Sequence, residues 1–217
     1  MSVDVKICGL NDAASVDAVG RCGARYAGFV FYSKSPRVVT AAQAAGLMAR
    51  LPPETLPVGL LVDASDDDIA DVLRVAPVGI LQLHGNESVA RVAEVKQKTG
   101  LPVMKAVGIG MAPDVIRAKT YEAVADYLLL DAKPASEDML PGGNARAFDW
   151  GLLKGQGFAR PWLLAGGLTS GNVAAAVAAS DARAVDVSSG VEDAPGHKNI
   201  DKIKDFLGVA GRIETTF

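Results

Sequence analysis

Residues 3–32 read VDVKICGLNDAASVDAVGRCGARYAGFVFY, and this stretch holds the unit from which the rest of the chain is built. Its first six residues set Val3, Val5 and Ile7 on one face and Asp4, Lys6 and Cys8 on the other, the period of a strand over 3–8. Asp12 then offers a side-chain oxygen to the orphan amides of a helix over 12–23, and Gly23 stands where that helix should stop. A run of aromatic and branched residues begins a second strand over 26–32. Outward from this unit the alternation recurs, with strands predicted at 56–63, 79–84, 102–109, 126–131, 161–165 and 184–188. Helices are predicted at 40–51, 66–75, 87–99, 112–124, 149–155, 170–179 and 199–209, with Thr40, Asp66 and Ser170 as further caps and Gly100 as a further stop. Eight such units in 217 residues suit a closed (β/α)8 TIM barrel in the α/β class. An open doubly wound sheet is the runner-up. Leu128-Leu129-Leu130 and Trp162-Leu163-Leu164 are apolar throughout, as parallel strands covered on both faces require. No linker composition interrupts the repeat, so residues 1–217 are read as a single catalytic domain, with 132–147 an active-site loop.

Composition limits the function classes. The 22 Lys and Arg against 25 Asp and Glu leave a net charge of -3, and no cationic run could neutralise a row of phosphates. Neither a nucleic acid nor a membrane is expected as partner. The N-terminus lacks a signal-peptide pattern, and no apolar run is long enough to span a bilayer. The two cysteines, Cys8 and Cys22, form no metal-binding pair or redox motif, so both are expected as reduced thiols in a cytoplasmic protein.

In a barrel of this kind chemistry gathers at the C-terminal ends of the strands. Cys8 ends the first strand on the face opposite Val3, Val5 and Ile7, so its thiol points into the barrel mouth, where nearby positive charge would make it a base. Cys22 reads as a core or surface residue. Asp131 ends the apolar run of the sixth strand, where desolvation favours a protonated carboxyl, a candidate general acid. Together the two form an acid/base pair that needs no cofactor. Gly166-Gly167 and Ser188-Ser189-Gly190 lie after the seventh and eighth strands, where turns free backbone amides for a phosphate. Arg37, preset by Pro36, is suited to fork a carboxylate, unless it is a solvated surface residue. His84 reads as a polar lining or a satisfied core imidazole. Lys6, Gln82, Lys105 and Asp186 sit within apolar strands, and we expect them to form one polar layer under the site. There Asp186 would compensate a lysine while leftover positive charge favours the Cys8 thiolate.

As a set these residues resemble phosphoribosylanthranilate isomerase, the tryptophan-pathway enzyme. The resemblance spans the chain in seven ordered motifs: Lys6-Ile7-Cys8-Gly9-Leu10, Gly28-Phe29-Val30-Phe31 with Ser35-Pro36-Arg37, Gln82 through Glu87, Leu129-Leu130-Asp131, Phe148-Asp149-Trp150, Leu164 through Leu168, and Asp186 through Glu192. It implies an Amadori rearrangement of a phosphorylated sugar-anthranilate, with Cys8 as general base and Asp131 as general acid. It further implies Arg37 at the anthranilate carboxylate, Asp186 at the anthranilate amine, and His84 among the substrate contacts. Phosphate would rest near Gly166, Gly167, Ser189 and Gly190, and no metal or cofactor is implied, in a monomer or homodimer. Two departures stand out. The family's Gly-Gly-Thr-Gly-Lys loop reads Gly142-Gly143-Asn144-Ala145-Arg146, and Asn199 stands where Asp is usual as a helix cap. Alternatives are a related phosphate-binding barrel enzyme, such as indoleglycerol-phosphate synthase or ribulose-phosphate epimerase, or a non-catalytic metabolite-binding module. The metal site of an epimerase is poorly supplied, since His84 and His197 are the only histidines.

Overall fold

The computed structural model describes residues 2–133 and 147–214. Eight parallel strands close into a barrel in chain order: β1 (Asp4–Cys8), β2 (Tyr26–Val30), β3 (Leu56–Leu61), β4 (Ile80–Leu83), β5 (Val103–Ile109), β6 (Tyr127–Ala132), β7 (Trp162–Leu164) and β8 (Ala184–Val187). Closure is made by β1 pairing with β8, with Lys6 opposite Asp186. This is the barrel that the eightfold repeat predicts, not the open sheet. Seven α-helices lie among the described residues: α1 (Ala13–Arg21), α2 (Ala41–Met48), α3 (Asp66–Val75), α4 (Val89–Thr99), α5 (Ala112–Thr120), α6 (Val173–Ser180) and α7 (Ile200–Ala210). None of them is long and apolar enough to cross a membrane.

Alternation along each strand sorts the side chains into two cores. Val5, Ile7, Ala27, Phe29, Leu81, Leu83, Val103, Val107, Leu128, Leu130, Val185 and Val187 turn outward against the helices. Tyr26, Val58, Ile80, Met104, Leu129 and Leu163 turn inward and fill the barrel itself. Above that plug, toward the C-terminal ends of the strands, the inward positions change character, and Cys8 lies with Val30 and Leu60.

Asp12 and Thr40 cap α1 and α2 as expected, accepting from the amides of Ser15 and Gln43, and Asn199 caps α7 with bonds from Asp201 and Lys202. Gly100 ends α4 in the left-handed region at φ 67°. Three expectations are corrected. Ser65, not Asp66, caps α3, because its hydroxyl accepts from the Asp68 amide while the Ser65 amide donates to the Asp68 carboxylate. Ser170 caps nothing, since α6 starts three residues later and the adjacent Asn172 side chain is spent on Thr169 and Gly167. The helix over 149–155 is a single 3-10 turn at Trp150–Leu153, as befits a stretch holding Gly151 and, at positive φ, Gly155. A short antiparallel hairpin, β9 (Glu192–Ala194) with β10 (His197–Lys198), follows β8 and has no counterpart in the sequence reading. The expected loop over 132–147, with the Asn144-Ala145-Arg146 departure, falls mostly outside the described residues.

Candidate active site

The inward parity of β1, β4, β6 and β8 delivers Lys6, Cys8, Gln82, Asp131 and Asp186 to the barrel interior, with the C-terminal ends of those strands supplying the mouth. Lys6 is fully buried, and its Nζ donates to Asp186 Oδ1 at 2.7 Å. Burial works against that ammonium, but Asp186 and Cys8 outweigh it and hold the lysine above its ordinary range. Gly28 faces Cys8 across the β1–β2 pairing. A Cβ there would stand 3.0 Å from the Cys8 sulfur and 3.1 Å from Lys6 Nζ, so the glycine is the space into which thiol and ammonium converge.

The expectation that positive charge would bring the thiol down is corrected. Burial pushes Cys8 above the ordinary thiol range, and the opposing pull of Lys6, with a smaller one from Lys198, does not cancel it. Cys22 is exposed.

Arg37 is buried rather than solvated, and its guanidinium does fork a carboxylate. Nε and Nη2 each donate at 2.8 Å to Glu192, the first residue of β9. Its Nη1 makes no hydrogen bond with a described residue. Glu192 also accepts from Lys198 Nζ at 2.7 Å, and Lys198 in turn reaches the Ser188 carbonyl at 3.0 Å. The hairpin thus clamps the Arg37 loop: Asn11 Nδ2 donates to Gly196 O at 2.9 Å, and the Gly196 backbone lies against the Pro36 carbonyl with no room for a Cβ. Glu192 and Lys198 were missed as site residues. Glu192 lies inside a quoted motif and Lys198 just before the Asn199 cap, and their charge within a run of Gly, Pro and Val was the available signal.

At the end of β4, Gln82 Nε2 lies 2.8 Å from His84 Nδ1, and His84 Nε2 lies 3.5 Å from Asp131 Oδ2. Asp131 Oδ1 accepts from the Ala132 amide at 2.7 Å. Gly166 and Gly167 take φ of 93° and 64°. Gly190 presses its Cα onto the Leu168 carbonyl, so the turns after β7 and β8 touch, as a shared cradle of amides requires.

Lys105 does not belong to this cluster, which corrects the expected polar layer. It shares the outward parity of Val103 and Val107, and its Nζ donates at 2.6 Å to Glu87 and at 2.7 Å to the Gly85 carbonyl, beneath the helices. A cavity of about 640 Å³ opens at the other end of the barrel, lined by Asp4, Tyr26, Tyr127 and Trp162 from the strand starts, remote from these groups.

The family model described as "PRAI: N-(5'phosphoribosyl)anthranilate (PRA) isomerase" matches residues 5–209. A protein of Paracoccus denitrificans named N-(5'-phosphoribosyl)anthranilate isomerase is 53% identical over 210 residues, covering 97% of this chain and 98% of its own. The solved structure of phosphoribosyl anthranilate isomerase from Thermotoga maritima superposes with a TM-score of 0.86 at 35% identity, over 96% of this chain and 98% of that one. A phosphoribosyl anthranilate isomerase solved in complex with reduced 1-(o-carboxyphenylamino)-1-deoxyribulose 5-phosphate superposes with a TM-score of 0.83, also at 35% identity, with the same coverage.

Proposed function

We infer the division of labour in this site from the premise that the chain belongs to the N-(5'-phosphoribosyl)anthranilate isomerase family. It is an isomerase of tryptophan biosynthesis that carries out the Amadori rearrangement of N-(5-phosphoribosyl)anthranilate to 1-(2-carboxyphenylamino)-1-deoxyribulose 5-phosphate. Our proposal assigns the steps to residues within a single catalytic domain. Asp131 gives its proton to the furanose ring oxygen, the bond from that oxygen to C1 breaks, and the anthranilate nitrogen closes a protonated Schiff base. Cys8, having first released its own proton to solvent to leave a thiolate beside Lys6, then takes the C2 proton, the C2–H electron pair moves into the C1–C2 bond, and the iminium nitrogen is neutralised. The resulting enolamine tautomerises to the ketone as C1 gains a proton. The iminium charge acidifies the C2–H, so a sulfur base suffices. A thiolate formed where burial raises the thiol is a stronger base than one in water.

The observation that carries this reading is that Cys8 and Asp131 both end inward positions of their strands at the same mouth, each against a positioned partner, Lys6 for the sulfur and His84 for the carboxyl. Arg37 offers its Nη1 to the anthranilate carboxylate while Glu192 holds its other edge. Asp186 and His84 line the substrate, and Gly166, Gly167, Ser189 and Gly190 receive the phosphate; the positive φ of the first pair and the contact of Gly190 with Leu168 support that assignment. A reduced thiol as base fits a cytoplasmic enzyme.

The test is the loss of phosphoribosylanthranilate fluorescence with purified protein. Wild type should turn over, while Cys8→Ala and Asp131→Asn should each lose at least about a hundredfold in kcat, the usual share of a general acid or base. Full activity in either variant removes the role assigned to that residue.

A further inference from the structure

Gln82 is a costly residue for its position. It points into the barrel from β4, two places before His84 on the same face, with no exposure to solvent, and its Oε1 has no hydrogen-bond partner among the described residues. An unpartnered carbonyl of this kind costs about 1–3 kcal/mol, and the neighbouring inward position on the strand, Ile80, is filled by a plain hydrocarbon. What the amide does make is one short bond, its Nε2 to His84 Nδ1 at 2.8 Å.

With the amide nitrogen turned toward the ring, that bond has Nε2 of Gln82 as donor and Nδ1 as acceptor. An amide N–H can donate only to a ring nitrogen that keeps its lone pair, so this arrangement selects the tautomer with its hydrogen on Nε2. The Nε2–H then faces Asp131 Oδ2 at 3.5 Å, while the Ala132 amide already serves Oδ1. Each carboxyl oxygen thus has one donor before it, and the longer contact is the one free to tighten as negative charge grows on the carboxylate.

We propose that Gln82 is a positioning residue that fixes the Nε2–H tautomer of His84, and that His84 through this hydrogen supports the Asp131 carboxylate once its proton has gone to the ring oxygen. The inference rests on the reading of Asp131 as general acid. It explains why the barrel tolerates an amide where an aliphatic side chain would pack without penalty. With the opposite tautomer, the Nε2 lone pair would confront the carboxylate, and the step that leaves charge on Asp131 would be opposed.

The chain is well suited to the test, because it contains only two histidines and the other, His197, is exposed on the hairpin. Long-range proton–nitrogen NMR on the full chain should give His84 a protonated-type shift at Nε2 and a lone-pair-type shift at Nδ1. In Gln82→Leu that single tautomer should give way to a mixture, and kcat should fall roughly tenfold with KM within about twofold, a fraction of the range available to proton transfer. Gln82→Glu, whose carboxylate can only accept, should turn the ring to the Nδ1–H form or to imidazolium, and should lose more activity than Gln82→Leu. A wild-type ring protonated on Nδ1 alone overturns the proposal, because the amide would then present Oε1. So does an unchanged His84 spectrum or an unchanged kcat in Gln82→Leu. Should Gln82→Glu fail to fold, the wild-type spectrum and Gln82→Leu still decide. Activity surviving in Asp131→Asn would instead remove the acid role of Asp131, an outcome separate from the tautomer reading.

Discussion

Lys6 on β1 and Lys105 on β5 are both buried ammonium groups held by a carboxylate at 2.7 and 2.6 Å, yet one faces the barrel interior beside the proposed base and the other the helices. Lys6 shares the inward parity of Cys8 and stands between Asp186 and the thiol. Lys105 shares the outward parity of Val103 and Val107, braces the turn after β4 through Glu87 and Gly85, and lies 5.6 Å from the centre of the Tyr121 ring. The difference teaches that in a barrel a buried charge is assigned by the face it occupies rather than by its chemistry. One residue along the strand moves a lysine from mechanism to architecture.

The largest effect should come from breaking the outer pair on one side. Glu87→Ala leaves Lys105 buried without a counter-charge and removes the acceptor of the Asp63 and Gly85 amides. Urea unfolding should find it destabilised by about 3–5 kcal/mol, whereas the Glu87→Leu/Lys105→Met double variant should recover most of that loss. A double variant no better than the single would mean the pair is not an isolated brace.

The inner pair should respond differently. In a Cys22→Ser background, Lys6→Met should move the pH midpoint of Cys8 alkylation upward by about one unit or more, because the nearest group favouring thiolate is gone. An unmoved midpoint would separate Lys6 from the thiol. Gly28→Ala tests the same junction sterically. The added Cβ meets sulfur and ammonium together, and we expect about 1–3 kcal/mol of overpacking with a fall in kcat and no gain in KM.

The smallest effect is in acid. Burial opposes the charge of Glu87, but Lys105 and the amides of Asp63 and Glu87 itself hold its carboxyl below the ordinary value. A group depressed in the folded state contributes stability that is complete above its unfolded value of about 4.3 and is lost as pH falls through the lower folded one. The double variant should therefore show a shallower loss of stability below about pH 4 than wild type, measured by urea unfolding across that window.

Much of this was legible in the sequence. The repeat could be read because parallel strands covered on both faces are apolar throughout, and the parity of residues 3–8 sufficed to turn Cys8 inward. The Lys6–Asp186 pair follows from the same counting, but Lys105 was grouped with them because its own parity against Val103 and Val107 was not weighed. The role of Glu192 was not legible, since its partner Arg37 is 155 residues away and the hairpin that joins them leaves only a weak pattern. Nor was the direction of the thiol's shift, which depends on how closely burial and an ammonium are balanced. The 149–155 segment looked helical by its apolar spacing, and its glycines decided otherwise.

The central claim, that strand face separates the lysine beside the proposed base from the structural one, is tested most directly by one kinetic comparison. Phosphoribosylanthranilate turnover is measured for Lys6→Met and for Glu87→Leu/Lys105→Met at a temperature where both are folded. The account predicts a loss in kcat of about a hundredfold for the first, in line with removing a group that poises a catalytic base, and a change within twofold for the second. Equal losses in the two would contradict it.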